Sequence, residues 1–300
     1  HRWLSDIMGE TKEVRAVKDV KNWLLVIFSI LVLVSGGLML RRGNQSLTVT
    51  EYSVTDAQIP PAFDGFRIAQ ISDLHNTVFG EDNQELLNLL AQTQPDIIAI
   101  TGDLVDFKRT DMDAAFSFVR EAMKIAQCYY VAGNHEPNIG IEEYRVFESQ
   151  LRKLGVRVLN DDRYSLIRDA QTLTLAGIGD PVYSDLYGGI ANNMFPWDIW
   201  ELTEPGDYTV LLCHRPEFLE AYAMAEVELV LTGHAHGGQI RFPFTQGLWA
   251  PNQGFFPQYT SGMYVENATT MIVSRGLGNS TFPFRINNRP EIVVVELHTD

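Results

Sequence analysis

The sequence predicts an α/β fold built on mixed β-sheets. Between residues 47 and 223, short apolar segments typical of buried strands alternate with amphipathic segments of helical periodicity. From residue 228 onward the segments are strand-like. Strands that alternate with helices and then follow one another in a run indicate an α/β domain with parallel and antiparallel pairs.

An apolar segment near the N-terminus predicts a membrane span. Residues 23–40 carry no charge, and as a helix they would be roughly 27 Å long, near the lower limit for crossing a bilayer. Flanking charges and Trp23 at one edge favour a membrane helix over a buried core helix. A cleaved signal peptide is the alternative, although the segment exceeds the roughly 7–15 apolar residues usual in a signal.

The charges around this segment predict its orientation. Five basic residues precede it, whereas only Arg41 and Arg42 follow it closely. The positive-inside rule then predicts a cytoplasmic tail at 1–22, a transmembrane anchor at 23–41 and an extracytoplasmic domain at 42–300, held at the cell membrane.

The elements of that domain are predicted in order from periodicity and stop signals. Leu86, Leu87 and Leu90 share one side of the first predicted helix, which Pro95 ends, and Gly155 ends the third. Strands are predicted at residues 47–54, 66–72, 96–100, 128–131, 157–159, 165–168, 172–178, 208–213, 228–232, 239–242, 269–274 and 292–297. Helices are predicted at residues 83–91, 113–126 and 141–154, with a further helix that ends at residue 223.

Composition limits the classes of partner. The formal net charge of −15 argues against a general nucleic-acid surface, because phosphate backbones are bound by Lys and Arg. A phosphate substrate is compatible with this charge, because bound metal ions can supply local positive charge. Cys128 and Cys213 lie in apolar strand-like segments and are expected to be small buried residues.

Polar residues of the metal-ligand type follow five of the predicted strands. In open α/β folds, ligands bind in the crevice beyond the carboxyl ends of the strands. Imidazole, carboxylate and amide groups without thiolate suit Mn²⁺, Fe or Zn²⁺ better than Ca²⁺ or Mg²⁺. The residues at these strand ends are Asp73, His75, Asp103, Asn134, His135, His214, His234 and His236.

Read together, these motifs resemble the calcineurin-like metallophosphoesterase superfamily over roughly residues 60–300. They are Asp73-x-His75, Gly102-Asp103, Gly133-Asn134-His135-Glu136, His214 and Gly233-His234-Ala235-His236. The longer stretches GHAHGGQIRFP, SRGLG at 274–278 and RINNRPEI at 285–292 resemble a bacterial membrane-associated branch. That branch includes wall-associated phosphoesterases and enzymes similar to UDP-2,3-diacylglucosamine pyrophosphohydrolase. The resemblance implies a four-layer α/β/β/α sandwich with a dimetal site at the strand ends.

The resemblance also implies roles for the site residues. One metal would bind Asp73, His75, Asp103 and His236, and the second would bind Asp103, Asn134, His214 and His234, so that Asp103 bridges. The two ions would activate a shared water as the nucleophile. His135 would protonate the leaving oxygen. Many relatives carry Asp after that histidine, and the longer Glu136 of this chain leaves its part in orienting His135 open.

The implied function is a membrane-anchored, dimetal-dependent phosphoesterase that hydrolyses phosphodiester or pyrophosphate bonds. Its substrate would be a phosphate-ester small molecule or a lipid-linked molecule, with no stable nucleic-acid partner. A nuclease or cyclic-nucleotide phosphodiesterase is the alternative within enzymes, and a catalytically silent metal-binding docking module is the alternative outside them. The complete ligand set and an intact His135 argue against the silent module.

Further residues are candidates for binding the substrate. Arg275 and Arg285, together with Arg215 and Arg241, could clamp a second phosphate, or could form structural salt bridges. Two aromatic stretches, residues 183–200 and 242–259, could form a wall for a lipid, sugar or nucleoside group or touch the bilayer, or could pack beneath long loops.

Overall fold

The chain divides into two units, His1–Arg42 and Gly43–Asp300. The computed structural model describes residues 12–183, 196–204, 206–242 and 244–300. The tail before residue 12 and most of the predicted aromatic stretch at 183–200 therefore lie outside the described residues. The first unit contains most of helix α1 (Lys12–Gln45). Residues Ala16–Gln45 of this helix are long and apolar enough to cross a membrane, and they are not buried by protein. A signal sequence would have the same character.

The second unit alternates strands and helices before ending in strands. The strands are β1 (Thr48–Thr55), β2 (Phe66–Ile71), β3 (Ile97–Thr101), β4 (Gln127–Val131), β5 (Arg157–Val158), β6 (Asp162–Arg168), β7 (Gln171–Gly177), β8 (Tyr208–Leu212), β9 (Leu229–Thr232), β10 (Trp249–Ala250), β11 (Gly254–Phe255), β12 (Gly262–Glu266), β13 (Thr269–Val273) and β14 (Glu291–His298). The helices are α2 (Gln84–Gln92), α3 (Met112–Ala122), α4 (Ile141–Lys153), α5 (Pro196–Trp200) and α6 (Leu219–Met224).

Two six-stranded mixed sheets form the centre of this unit. Sheet A has the order β1-β14-β2-β3-β4-β5, and sheet B has the order β12-β13-β9-β8-β7-β6. Strands β2, β3, β4 and β5 are parallel, as are β7, β8, β9 and β13, whereas β14 runs antiparallel to β2. The carboxyl ends of the parallel strands in each sheet therefore lie at one edge. The small hairpin β10-β11 lies outside both sheets.

Alternating side chains of the strands fill three apolar layers. On β3, Ile98 and Ile100 join the core that contains Leu86 and Leu90 of α2, whereas Ile97 and Ala99 join the core between the sheets. On β9, Val230 joins a third core with Tyr222 of α6 and Ile199 of α5, whereas Leu229 and Leu231 face sheet A. The layers are thus helix, sheet, sheet and helix, which confirms the expected four-layer sandwich.

The predicted elements agree with the structure, with few exceptions. Each predicted strand is present except 239–242, which is wrong: Ile240 and Arg241 form only isolated bridges, to Ile286 and Gly247. The helix predicted at 113–126 ends at Ala122, and its N-cap Asp111 accepts a hydrogen bond from the Ala114 N–H. The sequence did not indicate β10, β11 or β12. Cys128 and Cys213 are buried free thiols, as expected.

Candidate metal centre

The ends of the strands approach one another so closely that only glycine fits at two positions. A Cβ atom on Gly133, after β4, would lie 2.2 Å from Asp103 Oδ1, and one on Gly233, after β9, would lie 1.9 Å from Ser72 Oγ. The amide of Gln70 on β2 donates to Thr232 at the end of β9 (2.8 Å), which joins the two sheets at this edge. The polar residues after each strand are therefore brought to one place.

Five of the predicted ligands have a left-handed backbone. Non-glycine residues rarely adopt this conformation, which costs on the order of 1–3 kcal/mol each and persists where the surrounding structure holds it. The residues and their φ values are Asp73 (52°), His75 (46°), Asp103 (56°), His234 (62°) and His236 (48°). The strand ends thus turn their side chains inward at the expense of local strain, as is common at functional sites.

Two groups of donor atoms result. In the first, His75 Nε2 lies 3.3 Å from His236 Nε2, and His236 Nε2 lies 3.5 Å from Asp73 Oδ1. In the second, His214 Nε2 lies 3.2 Å from Asp103 Oδ2 and 3.1 Å from His234 Nδ1. Each group could hold a metal ion, and all of these side chains are buried.

Asp103 lies between the two groups. Its Oδ2 atom is 3.2 Å from His214 Nε2 and 3.5 Å from His75 Nε2. Asn134 lines the same cavity, and its Oδ1 atom is buried without a hydrogen-bond partner among the described residues. Such an unpaired amide oxygen is costly unless a cation or water meets it, so this donor set fits a pair of metal ions.

The electrostatics of the site favour neutral rings at His75, His234 and His236 and a charged ring at His214. Burial lowers the pKa of His75 to about 3 and lowers the pKa values of His234 and His236 well below their usual range. Burial also acts against a charge on His214, but Asp103 outweighs it and raises the pKa of His214 to about 10. A metal ion would take the place of that proton, because the ligand form of histidine is the neutral ring.

Hydrogen bonds fix the free nitrogen of two ligands. His214 Nδ1 donates to the carbonyl of Thr101 (2.7 Å), which leaves Nε2 to face Asp103. His234 Nε2 donates to Asn252 Oδ1 (3.0 Å), which leaves Nδ1 to face the second group. Asn252 lies between β10 and β11, and nothing in the sequence singled it out.

His135 lies beside the two groups and has different neighbours. Its Nδ1 accepts a hydrogen bond from the Phe107 N–H (3.2 Å), so the proton of the neutral ring lies on Nε2. Nε2 lies 3.1 Å from Ser280 Oγ and 4.0 Å from Asp103 Oδ2. His75, Asp106 and His135 also lie close enough to form a third potential metal group.

Glu136 organises the backbone of the site rather than the ring of His135. Its carboxylate accepts hydrogen bonds from the backbone N–H groups of Asp103 (3.0 Å), Gly133 (3.0 Å), Leu104 (2.5 Å) and Val105 (3.4 Å). The extra carbon of Glu relative to Asp therefore lets this buried side chain hold the turn that carries Asp103.

The candidate phosphate-binding arginines have partners inside the protein. Arg285 is fully buried, and it donates to the carbonyls of Arg275 (2.7 Å) and Gly278 (2.5 Å), with Nη2 3.4 Å from His236 Nδ1. Arg275 pairs with Glu291 (2.5 Å). These contacts favour the structural alternative for Arg275 and Arg285, and a role for them in substrate binding stays a prediction.

The same holds for the other two arginines. Arg215 forms a bidentate pair with Asp180 (2.5 and 3.0 Å), and Arg241 donates to Ser261 (2.5 Å) and to the carbonyl of Gly237. Because Arg215 directly follows His214, its pairing with Asp180 helps to hold the backbone next to that ligand.

The donor groups open into a cavity of about 180 Å³. Aromatic and polar side chains from the loops complete its walls. The lining residues are Asp103, Phe107, Asn134, His135, His234, His236, Gln239, Trp249, Pro251, Asn252, Ser280, Thr281 and Phe282. We call this the metal cavity.

Comparisons with known proteins agree with this geometry. The family described as calcineurin-like phosphoesterase matches residues 66–238. A Bacillus subtilis protein named uncharacterized metallophosphoesterase YkuE is 29% identical over 261 residues, covering 84% of this chain and 85% of its own length. Phosphodiesterase YaeI of Escherichia coli is 28% identical over 238 residues, covering 77% and 82%. A Bos taurus transmembrane protein with metallophosphoesterase domain is 26% identical over 259 residues, covering 83% and 56%.

The family match spans more than half of the chain and includes the ends of β2, β3, β4, β8 and β9, where the donor groups lie. The chain belongs to the calcineurin-like phosphoesterase family and is a metal-dependent phosphoric ester hydrolase.

Proposed function

We propose that this protein is a membrane-anchored dimetal phosphodiesterase or pyrophosphohydrolase. The observation that carries the proposal is the position of Asp103, one carboxylate oxygen of which lies within 3.5 Å of both His75 Nε2 and His214 Nε2. A carboxylate shared between two groups of donors suits a pair of adjacent metal ions.

The proposed ligand sets follow the two groups. Asp73, His75, Asp103 and His236 would hold one ion, and Asp103, Asn134, His214 and His234 would hold the other. When bound, the two ions would lower the pKa of a water molecule between them and stabilise charge on the phosphoryl oxygens. Mn²⁺, Fe or Zn²⁺ is proposed at both positions, and metal analysis of the purified protein identifies the ion.

His135 is proposed to donate a proton to the leaving oxygen. The hydrogen bond from the Phe107 N–H orients the ring and holds a proton on Nε2, which lies within 4.0 Å of Asp103 Oδ2. Ser280 Oγ occupies the hydrogen-bonding direction of Nε2 in the absence of substrate, and a leaving oxygen would take that place.

The charge of the metal cavity favours a monoanionic phosphodiester. No Lys or Arg is found among the described residues that line it. Lys108 and Arg109 lie near its edge, where Lys108 Nζ is 3.3 Å from Thr281 Oγ1 and Arg109 pairs with Asp106 (3.2 Å). A monoester dianion would gain from a further cation inside the cavity, whereas a monoanionic diester needs charge only at the ions and the rim. The E. coli relative named as a phosphodiesterase supports this choice.

Membrane anchoring is proposed from helix α1, with residues 1–22 in the cytoplasm and residues 42–300 outside it. Its apolar side chains from Trp23 to Leu38 are exposed, which is costly in water and favourable in a bilayer. The bovine relative named as a transmembrane protein supports the association. The net charge of −15 continues to argue against a nuclease.

The test combines a chromogenic diester with a pair of matched variants. The protein should hydrolyse bis(4-nitrophenyl) phosphate with added Mn²⁺ and lose that activity after chelation. Asp103→Asn should lower the content of both ions, whereas Asp73→Asn, the same change at a residue assigned to one ion, should spare the second ion. Metal stoichiometry and turnover are measured on both variants. Full metal content with normal turnover in Asp103→Asn would contradict the shared-ligand assignment.

A further inference from the structure

A second cavity adjoins the metal cavity. It has a volume of about 340 Å³, within the range of small-molecule sites. We call it the apolar cavity. Its lining residues are Gly238, Gln239, Ile240, Leu248, Trp249, Phe255, Thr281 and Phe282.

The lining of the apolar cavity is almost entirely hydrocarbon. Ile240, Leu248, Trp249, Phe255 and Phe282 provide aliphatic and aromatic surface, and no charged side chain is found among the described residues that line it. A sugar or nucleobase placed here would lose hydrogen bonds to water that this cavity returns only at Gln239 and Thr281. A hydrocarbon chain has no such loss and would gain from leaving water.

The two cavities share a wall. Gln239, Trp249, Thr281 and Phe282 line both of them, so the two cavities are direct neighbours. Thr281 and Phe282 follow Ser280, which contacts His135. One loop thus contributes to the walls of both cavities.

The stretch that contains the β10-β11 hairpin carries exposed aromatic side chains. Phe255, Phe256 and Phe244 are 71%, 79% and 107% exposed, and all belong to the stretch that contains the β10-β11 hairpin. Exposed aromatic residues clustered in one segment are typical of surfaces that meet a lipid or a protein.

The chain also enters the second unit beside this wall. Asn44 Oδ1 accepts hydrogen bonds from Asn279 Nδ2 (2.6 Å) and from the Arg285 N–H (3.1 Å), on either side of Thr281 and Phe282. The apolar helix is joined in sequence to these first residues of the unit.

We propose that the apolar cavity binds a hydrocarbon chain of the substrate, so that the enzyme acts on phosphodiesters or pyrophosphates of lipids. This inference rests on the proposed phosphodiesterase function and adds the class of substrate. The chain would occupy the apolar cavity while the phosphoryl group lies at the donor groups of the metal cavity.

The test compares two diesters that share one leaving group. Ethyl 4-nitrophenyl phosphate and octyl 4-nitrophenyl phosphate are supplied with Mn²⁺ to the full-length protein in phosphatidylcholine vesicles. Because six additional methylene groups would be buried in the cavity, kcat/KM should be about tenfold higher or more for the octyl ester than for the ethyl ester. Equal kcat/KM values for the two esters would overturn the proposal.

A matched pair of variants separates the cavity from the surrounding surface. Phe255→Ser removes a lining residue, whereas Phe256→Ser removes its exposed neighbour, which does not line the cavity. The octyl-to-ethyl ratio of kcat/KM should fall at least threefold, roughly, in Phe255→Ser and stay near the wild-type ratio in Phe256→Ser. Ile240→Ser provides a second lining variant. All of these proteins meet the same vesicles, so partitioning of the octyl ester into the bilayer cancels. An equal fall in Phe256→Ser would assign the preference to surface adsorption and overturn the cavity proposal.

A binding measurement keeps this inference distinct from the proposed function. Octyl phosphate and ethyl phosphate are titrated into the same metal-loaded proteins by calorimetry, and the octyl compound should bind at least tenfold more tightly, roughly, in a manner sensitive to Phe255→Ser. Tight binding of octyl phosphate without hydrolysis of either diester would contradict the phosphodiesterase function and support the cavity. Hydrolysis of both diesters without any chain-length effect would do the reverse.

Discussion

His135 differs from the other histidines of the site in what its two ring nitrogens contact. In their neutral, metal-binding form His214 and His234 would each direct an unprotonated nitrogen toward the donor groups, because Thr101 and Asn252 accept from the other nitrogen. His135 has the opposite arrangement, since the Phe107 N–H occupies Nδ1 and a proton remains on Nε2. Ligand histidines need a free lone pair toward the metal, and a proton donor needs the reverse.

His135→Ala should therefore separate chemistry from metal binding. Turnover is expected to fall by roughly 10²–10⁴-fold on a diester with an alkoxide leaving group, and much less on a nitrophenyl diester, whose leaving oxygen needs no proton. Metal content and Tm should stay near the wild-type values. Turnover on both diesters, metal stoichiometry and Tm are measured together. Equal losses on the two substrates, or a loss of metal, would contradict the assigned role.

Asn252 is expected to position His234 for metal binding. Asn252→Ala removes the acceptor of the His234 Nε2–H bond, and loss of such a partner typically costs about 10–100-fold in metal affinity. Asn252→Asp keeps an oxygen acceptor and should retain most of the affinity. Metal titration of both variants checks this. The hydrogen-bond assignment fails if the Asp variant loses as much affinity as the Ala variant.

At the scale of elements, the turn after β3 depends on a side chain that follows β4. Glu136 accepts hydrogen bonds from four backbone N–H groups around Asp103. These donors are buried, so water does not replace the carboxylate as their partner. The spacing of the two strand ends is thus fixed by one carboxylate.

Glu136→Gln should destabilise the domain by about 2–4 kcal/mol, because the amide NH₂ faces N–H groups and leaves buried donors unpaired. Glu142→Gln, on the exposed face of α4, is the matched control and is expected to change stability by no more than about 0.5 kcal/mol. Thermal unfolding of both variants measures the difference. Equal stability of the two variants would show that the carboxylate does not support the turn.

Sequence patterns predicted the elements whose own residues show a clear periodicity or a clear start and stop. The strands of both sheets are short, apolar and bounded by Gly or polar residues, as at β3 and β9, and the family resemblance then implied the layers and the donor residues. The strand predicted at 239–242 was wrong, because Ile240 lines the apolar cavity, and Ile240 and Arg241 form single bridges instead of a ladder. A local apolar pattern does not distinguish a strand from a cavity wall.

The rest of the site depends on contacts between distant segments. From the sequence, Arg285 was a candidate for binding a second phosphate, yet it is fully buried among carbonyl groups beside His236. Asn252 belongs to an irregular hairpin, and the function of Glu136 depends on the approach of β3 to β4. Most of these partners are distant in sequence, so periodicity and spacing do not indicate them.

At the scale of the whole molecule, the orientation of the chain in the membrane can be tested with single cysteines. Cys128 and Cys213 are buried, so they should react little with a membrane-impermeant maleimide. A single exposed cysteine added to the otherwise wild-type protein should therefore account for most of the labelling. Lys124→Cys, exposed after α3, should label on intact cells, whereas Lys18→Cys should label only after permeabilisation. The reverse pattern would place the domain in the cytoplasm, and release of the Lys124→Cys protein into solution would indicate a cleaved signal.

The donors of each proposed ion come from both sheets. Asp73, His75, Asp103 and Asn134 follow strands of sheet A, whereas His214, His234 and His236 follow strands of sheet B. Each ion would therefore act as a cross-link between the two halves of the sandwich. A ligand that binds only the folded state adds RT ln(1 + [L]/Kd) to its stability, about 2.7 kcal/mol at a hundredfold excess over Kd. Scarcity of metal would then do more than stop turnover, because loss of the cross-link would lower the stability of the folded domain and favour its proteolysis. The amount of enzyme would therefore depend on the supply of its cofactor.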